Sequence, residues 1–346
     1  MKWSNRFSFV LCATLTCPPA ALYAADTAPP EYSVQKTFQI GGAGRWDYAT
    51  FDPDSHLLYV TRSTHTQGID VNTGKVVADI DGQKRAHGTA IATSAGRGFI
   101  SDGEDGSVVV FDLKTDKILG KITAADDADG IIYDPGSNRV LVACGDSQKL
   151  IVIDPTIDLK TGKADSVDLG GKPEFLAADG AGKAYVNINS KNEIAVVDIK
   201  TLAVTARWPT GSGTRPAGLA IDPKNHLLFV GCRNQKLIIM SADNGHVLAE
   251  PAIGSGNDAC KFDPTTGEAF ASCGDGTLTI VKQTSPDKFD VSAIPTKPGA
   301  RTMAVDPDTN TLYLPTAEFA SARAEGRRPA MKPNTFMIVV VAPIKQ

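Results

Sequence analysis

The chain has 346 residues, of which 42% are hydrophobic and 21% are charged, and its formal net charge is -4 at pH 7. This composition is typical of a globular protein with a large core. It argues against an extended basic surface for duplex nucleic acid, because neutralising phosphates requires clustered Lys and Arg. The 32 glycines and 21 prolines favour a turn-rich, all-β chain.

The N-terminal segment has the pattern of a secretory signal peptide. Lys2 and Arg6 are followed by an apolar stretch rich in small residues, and the chain becomes polar after Ala24, where we expect cleavage. No other segment has the roughly 20 apolar residues that a membrane-spanning helix needs. We therefore expect a signal peptide over 1–24 and a soluble domain over 25–346, located in the periplasm or secreted.

The rest of the chain is a series of seven repeats. Each repeat has a short apolar run, a turn that usually opens with Asp-Pro, and a second apolar run. The last residue before each turn anchors the repeat, and the anchors are 40 to 45 residues apart: Asp52, Ala92, Asp134, Asp179, Asp222, Asp263 and Asp306. A period near 40 with four short strands is the signature of a β-propeller.

We therefore predict a single seven-bladed β-propeller made of four-stranded antiparallel blades. The seventh repeat has no fourth strand after "TFMIVVVAP", whereas residues 32–40 read as a strand without a repeat of their own. The economical interpretation is that the N-terminal strand completes the last blade and closes the ring. Closure of this kind leaves no long exposed sheet edge.

The second apolar run of the first repeat ends in Tyr59-Val60-Thr61, preceded by an Asp-Pro turn. In this the chain resembles the YVTN-type (YncE-like) repeat β-propellers, with Arg62 where the family motif has Asn. The resemblance implies an exported seven-bladed propeller. It implies no activity, because most such proteins have none assigned and a fold alone does not define a function.

One position in the repeat predicts a binding site. Five residues before the anchors, at the expected mouth of the central channel, stand Asp47, His87, Asp129, Glu174, Ala217, Asp258 and Arg301. Apart from Ala217, these residues predict a polar pocket for a small charged ligand or a cation, with His87 as the titrating group. The alternative is that they are ordinary polar loop ends that hold water.

Two further candidates come from loops. His65 is expected on the same face as His87, and two histidines with Asp47 or Asp129 would suit a transition metal, although no local metal motif is present. A long insertion, residues 316–334, interrupts the seventh repeat. We expect it either to cover the channel mouth, with Glu318 and Phe319 near its base, or to be a mobile surface insertion.

Other chemical motifs are sparse. Four cysteines lie in the mature chain, and Cys260 and Cys273 are candidates for a disulfide across a hairpin, which an exported protein permits. The sequence contains no Cys-x-x-Cys-His, no phosphate-binding loop and no Gly-x-Ser-x-Gly. No cofactor is therefore evident, and a divalent metal remains an alternative.

These observations leave three functional hypotheses, and they do not decide whether the protein is an enzyme. The first is an exported binding or scaffold propeller, monomeric, that recognises a small molecule or a protein partner through the channel mouth. The second is a metal-assisted hydrolase or lyase, lactonase-like, at the same place. The third is a cell-surface or adhesion protein. Single-stranded nucleic acid is a weak candidate ligand, because few aromatic residues are available for stacking.

Overall fold

The structure is a computed structural model that describes Met1, residues 32–320 and residues 330–344. The predicted signal peptide after Met1 and the middle of the insertion lie outside the described residues. The described part is almost entirely β, with one short 3-10 helix, Thr93–Ala95. None of its helices has the length and hydropathy needed to cross a membrane.

The strands follow the repeats. The first strand is β1 (Tyr32–Gln39). Repeats 1 and 2 form one sheet of β2 (Ala49–Asp52), β3 (Leu57–Thr61), β4 (Ser63–Asp70), β5 (Lys75–Ala92), β6 (Arg97–Asp102), β7 (Ser107–Asp112) and β8 (Ile118–Thr123). Repeat 3 contains β9 (Ala128–Asp134), β10 (Arg139–Cys144), β11 (Lys149–Ile153) and β12 (Asp165–Asp168). Repeat 4 contains β13 (Pro173–Ala178), β14 (Lys183–Ile188), β15 (Glu193–Asp198) and β16 (Ala203–Pro209).

The later repeats have the same organisation. Repeat 5 contains β17 (Pro216–Asp222), β18 (Leu227–Cys232), β19 (Lys236–Ser241) and β20 (Val247–Ala249). Repeat 6 contains β21 (Asn257–Asp263), β22 (Glu268–Cys273), β23 (Thr277–Ser285) and β24 (Lys288–Pro295). Repeat 7 contains β25 (Ala304–Asp306), β26 (Thr311–Thr316) and β27 (Met337–Pro343), and β1 is the fourth strand of its sheet.

The described residues therefore form six antiparallel sheets rather than the seven separate ones that the repeats predict. The difference is due to β5, which runs without interruption from Lys75 to Ala92. Its first half pairs with β4 in repeat 1, and its second half pairs with β6 in repeat 2. Two four-stranded units consequently count as one seven-stranded sheet.

The N-terminal strand lies at the outer edge of the last sheet. β1 is antiparallel to β27, with Tyr32 opposite Pro343 and Gln39 opposite Met337. The Tyr32 hydroxyl donates a hydrogen bond of 3.0 Å to the buried carboxylate of Glu268 in repeat 6. The first strand is thus held both by the sheet it joins and by the neighbouring repeat.

The Asp-Pro anchors explain how each inner strand ends. The anchor is the last residue of β2, β9, β17, β21 and β25. In each case the buried carboxylate accepts a hydrogen bond from the backbone N–H two residues further on, at 2.8–3.3 Å. This local bond satisfies a buried carboxylate and fixes the turn, which is why Asp recurs there.

The core of the described chain consists of seven apolar clusters, six between repeats that follow each other in the sequence and one between repeats 1 and 7. Tyr48 of repeat 1 also joins the cluster between repeats 4 and 5. The cluster between repeats 1 and 7 packs Leu58 and Val60 of repeat 1 against Ile338 and Val340 of repeat 7. The first and last repeats are therefore packed face to face. This arrangement brings the beginnings of the inner strands together at the centre.

Candidate functional site

Six of the predicted mouth residues come together in the structure. Together with Arg233 they form a chain of contacts that we call the mouth network: Asp129, His87, Asp47, Arg301, Asp258, Arg233 and Glu174. Five of the six predicted members stand within three residues of the start of an inner strand, and His87 lies in the second half of the continuous β5. Their position in the repeat explains why they meet. Whether they bind a ligand stays a prediction.

The charges alternate along the network. Nδ1 of His87 lies 2.7 Å from Oδ2 of Asp47 and 3.4 Å from Oδ1 of Asp129. The other oxygen of Asp47 lies 3.6 Å from Nη2 of Arg301. Nε of Arg301 in turn donates to Oδ2 of Asp258 at 2.6 Å. Every carboxylate in this half of the network therefore touches a cation.

The sequence analysis did not select Arg233, which completes the other half. Repeat 5 has Ala217 at the mouth position, and Arg233 reaches the same place from the loop after β18. Its Nη2 donates to Oε1 of Glu174 at 3.2 Å and also hydrogen bonds to Asp258. Two features of the sequence could have pointed to Arg233. Repeat 5 lacks a charged residue at the mouth position, where it has Ala217, and it has a basic residue directly after its second strand.

Beneath the network, two aromatic rings meet across the centre. Tyr48 of repeat 1 and Phe175 of repeat 4 have ring centroids 4.7 Å apart and belong to one core cluster, although two repeats separate them along the chain. Burial and the nearby carboxylates, Asp129 first, raise the pKa of Tyr48 well above its ordinary value. The phenol is therefore neutral, and the two rings form an apolar floor below the charged groups.

A cavity of about 640 Å³ lies at the mouth. Its cationic side chains are Arg45, Arg85, His87, Arg233 and Arg301, whereas its carboxylate is that of Asp47. Its apolar wall contains Trp46, Pro298, Phe319 and Met331. The remaining carboxylates of the network do not line the cavity. The lining thus combines a basic part with an adjoining aromatic part.

The base of the insertion forms part of that wall. Phe319 and Met331 face each other in an isolated antiparallel bridge, and the N–H of Ala320 donates to the carbonyl of Ala330 at 2.9 Å. Gly299, with φ of +84°, lies where a side chain would collide with the Phe319 ring. Both ends of the insertion therefore contribute a residue to the cavity wall, while its middle lies outside the described residues, and covering of the mouth stays a prediction.

Two predicted site residues are not part of this arrangement. His65 lies on β4 opposite Asp81, and its Nε2 is 3.9 Å from Asp79. The expectation that it would join His87 is wrong, because β4 directs it toward its own neighbouring strand. Glu318 pairs with Lys332 at 3.1 Å and has no contact with the mouth network within the described residues.

Arg62 has a structural role. Its side chain is fully buried, its Nη2 donates to the carbonyl of Ala43 at 2.7 Å, and its guanidinium lies 3.7 Å from the Phe336 ring centroid. Burial lowers its pKa to about 10. Gly44, with φ of +88°, lets the backbone pass close to the Arg62 carbonyl. Arg62 therefore fixes the segment that leads into Arg45, Trp46 and Asp47.

The disulfide considered between Cys260 and Cys273 is not formed in this structure. All four described cysteines are free and buried. Cys260 lies opposite Ala271 and Cys273 lies opposite Asn257, so the two thiols are offset along the hairpin rather than directly opposed. Burial raises the pKa of Cys273 to about 12, which keeps it a neutral packing residue.

The protonation of His87 depends on opposing effects. Burial disfavours the charged ring, but Asp129 and Asp47 outweigh it and raise the pKa of His87 to about 9. Nε of Arg85 lies 3.2 Å from Nε2 of His87, a contact that requires a neutral ring. We assign the imidazolium at neutral pH, because two carboxylates outweigh one half-exposed guanidinium, even though Asp129 competes for the proton through its own raised pKa.

These features define an all-β protein of the β-propeller type, with a charged and aromatic cavity at the convergence of its inner strands. No protein-family model matches the chain, and no curated protein matches it. Among solved structures it is similar to Kuenenia stuttgartiensis hydrazine synthase, with 15% identity and a TM-score of 0.66. The match covers 84% of this chain and 95% of that chain. At this identity the likeness shows the fold alone.

The pKa of His87 predicts a pH dependence of stability. The folded protein holds this proton more tightly than the ordinary pKa of about 6.5 allows, so its contribution is complete below pH 6.5 and is lost as the pH rises toward 9. We expect the free energy of unfolding in urea to fall by roughly 2–3 kcal/mol over this range.

His87→Asn should remove most of that slope. The matched control is His226→Asn, because His226 is exposed and pairs with Asp243 outside the cavity. It should keep the slope of the natural protein. A slope that is equal in both variants would contradict the assignment.

Proposed function

We propose that the chain is an exported, seven-bladed β-propeller, closed by β1, that binds a small charged molecule in the cavity at the mouth of its channel. The observation that carries this proposal is the position of the cavity directly at the mouth network. In this view the protein is a binding or scaffold protein, related to the YVTN-type repeats that its first repeat resembles.

Seven blades are supported by the seven inter-repeat clusters, one of which packs repeat 7 against repeat 1. A periplasmic or secreted location is supported by the pattern of residues 1–24 in the sequence.

The chemistry of the cavity supports binding of a small molecule. Its volume of about 640 Å³ falls within the usual range of ligand pockets, roughly 300–1,000 Å³. It combines an apolar wall with a few charged groups, and one of them, His87, has a strongly raised pKa. Perturbed titrating groups in a concave site are a recognised mark of functional sites.

Filling the cavity should abolish binding. We expect at least one of acetate, benzoate, inorganic phosphate and choline to raise the melting temperature, because a ligand that binds only the folded state stabilises it. Met331→Trp places an indole in the cavity and should remove the shift. The control Val77→Trp changes an exposed residue of β5 and should keep it. No shift with any probe, or an equal shift in Met331→Trp, would contradict the proposal.

A metal-dependent hydrolase or lyase is the second candidate. One ligand atom each of Asp47, His87 and Asp129 lies within 4.8 Å of the others, and imidazole with carboxylates suits a divalent transition metal. The surrounding cations weaken this fit, since Arg301 and Arg85 already contact two of the three donors. We therefore favour a proton on His87 rather than a metal ion between the three side chains.

Metal analysis separates the two candidates. Protein purified from a medium supplemented with zinc and manganese should carry well under one equivalent of either metal by mass spectrometry. The informative variants are Asp129→Asn in the mouth network and Asp79→Asn near His65, where a second group of donors lies. One equivalent of metal that is lost in Asp129→Asn and kept in Asp79→Asn would favour the metal enzyme instead.

A further inference from the structure

The cations around the cavity have donor groups that the network does not use. Within the described residues, Arg301 hydrogen bonds through Nε and Nη2, and Arg233 through Nη2. Nη1 of Arg301, and Nε and Nη1 of Arg233, have no protein acceptor there. Arg45 lines the cavity and has no side-chain hydrogen bond or ion pair with any described residue. These N–H groups can take an anionic ligand.

The charge balance limits the ligand to a small negative charge. The network contains four carboxylates and three cations, namely His87, Arg233 and Arg301. Arg85, which also lines the cavity, is paired with Asp127, so Arg45 brings the mouth to neutrality. The guanidinium groups line the cavity, whereas most carboxylates of the network lie behind them. An anion is therefore attracted only when it is close to the guanidinium groups. This arrangement favours one negative charge over two.

The adjoining wall suits a flat apolar group. Trp46 lies between Phe319 and Phe336, with ring centroids 6.1 and 5.7 Å away. The Arg301 guanidinium lies 5.6 Å from the Trp46 ring centroid, so the aromatic wall and the basic side adjoin. Met331 and Pro298 extend the same wall. A ring placed there would keep an attached anionic group within reach of the arginines.

We infer that the cavity binds an aryl carboxylate of one or two rings, with the carboxylate held by the free donors of Arg45, Arg233 and Arg301 and the ring against Trp46, Phe319 and Met331. This inference rests on the proposed function and names its ligand class. Planar carboxylates match the fork of donors on a guanidinium, and flat rings match an aromatic wall.

The test is calorimetric titration with 2-naphthoate and matched probes. We expect 2-naphthoate to bind at least about tenfold more tightly than 2-naphthamide or acetate, since one charge-assisted hydrogen bond is worth roughly tenfold in affinity. Arg45→Gln should weaken 2-naphthoate by about the same factor and leave 2-naphthamide unchanged. Arg139→Gln, whose arginine contacts Asp154 away from the cavity, should leave both unchanged.

Trp46→Leu provides a second test, because it removes the central ring of the aromatic wall and leaves the arginines in place. It should weaken 2-naphthoate and 2-naphthamide by the same few-fold factor, and its melting temperature shows whether the fold is retained. Equal binding of 2-naphthamide, tighter binding of 2-naphthyl phosphate, or no binding of any naphthyl probe would overturn the inference. Tighter binding of 2-naphthylmethylammonium that Met331→Trp abolishes would also overturn it, but would leave the proposed function standing.

Discussion

Each sheet of this protein has two apolar faces, and both must be covered by neighbouring sheets. β18 is buried along its whole length, and β14 is buried except at its first residue. Water therefore covers neither face of the middle of a repeat. Burial on both faces is satisfied only when repeat 7 also packs against repeat 1, as Leu58 and Ile338 do. Every feature of the site follows from this constraint, because it makes the inner strands converge.

The convergence of the inner strands would bring like charges together, and the sequence avoids this by alternating acidic and basic residues. Equivalent positions of the repeats meet at the centre, so a repeated aspartate would repel its own copies. Here the carboxylates alternate with cations: Asp47 lies between His87 and Arg301, and Asp258 lies between Arg301 and Arg233. The buried rings of Tyr48 and Phe175 lie beside these groups, and a low local dielectric strengthens such charge pairs.

Much of the fold was predictable, because each repeat is defined by interactions between residues that are close in the sequence. Asp-Pro turns and alternating apolar runs act over a few residues, and they placed the ends of the inner strands at Asp52, Asp134 and Asp222. The repeat period then aligned the mouth position, which identified six members of the network. The continuous path of β5 through two repeats was not predictable, since no local signal distinguishes a straight strand from a turn at Gly82.

The parts that the sequence did not predict depend on how far and in which direction a side chain reaches. Arg233 crosses from a loop to fill the gap at Ala217, and Arg62 turns inward to bind backbone carbonyls. The prediction that His65 joins His87 was wrong for the same reason. Residue spacing gives the face of the sheet edge on which His65 lies, but it does not give the direction of its side chain. Tyr48 of repeat 1 meets Phe175 of repeat 4 although two repeats separate them along the chain.

The central claim is that the mouth network acts as one electrostatic unit, and a double-mutant cycle tests it most directly. His87 and Asp258 do not touch, but they are linked through Asp47 and Arg301. The free energies of unfolding of His87→Asn, Asp258→Asn and the double variant should differ from additivity by about 0.5 kcal/mol or more. Strict additivity would show that the two residues act independently and would contradict a single coupled network.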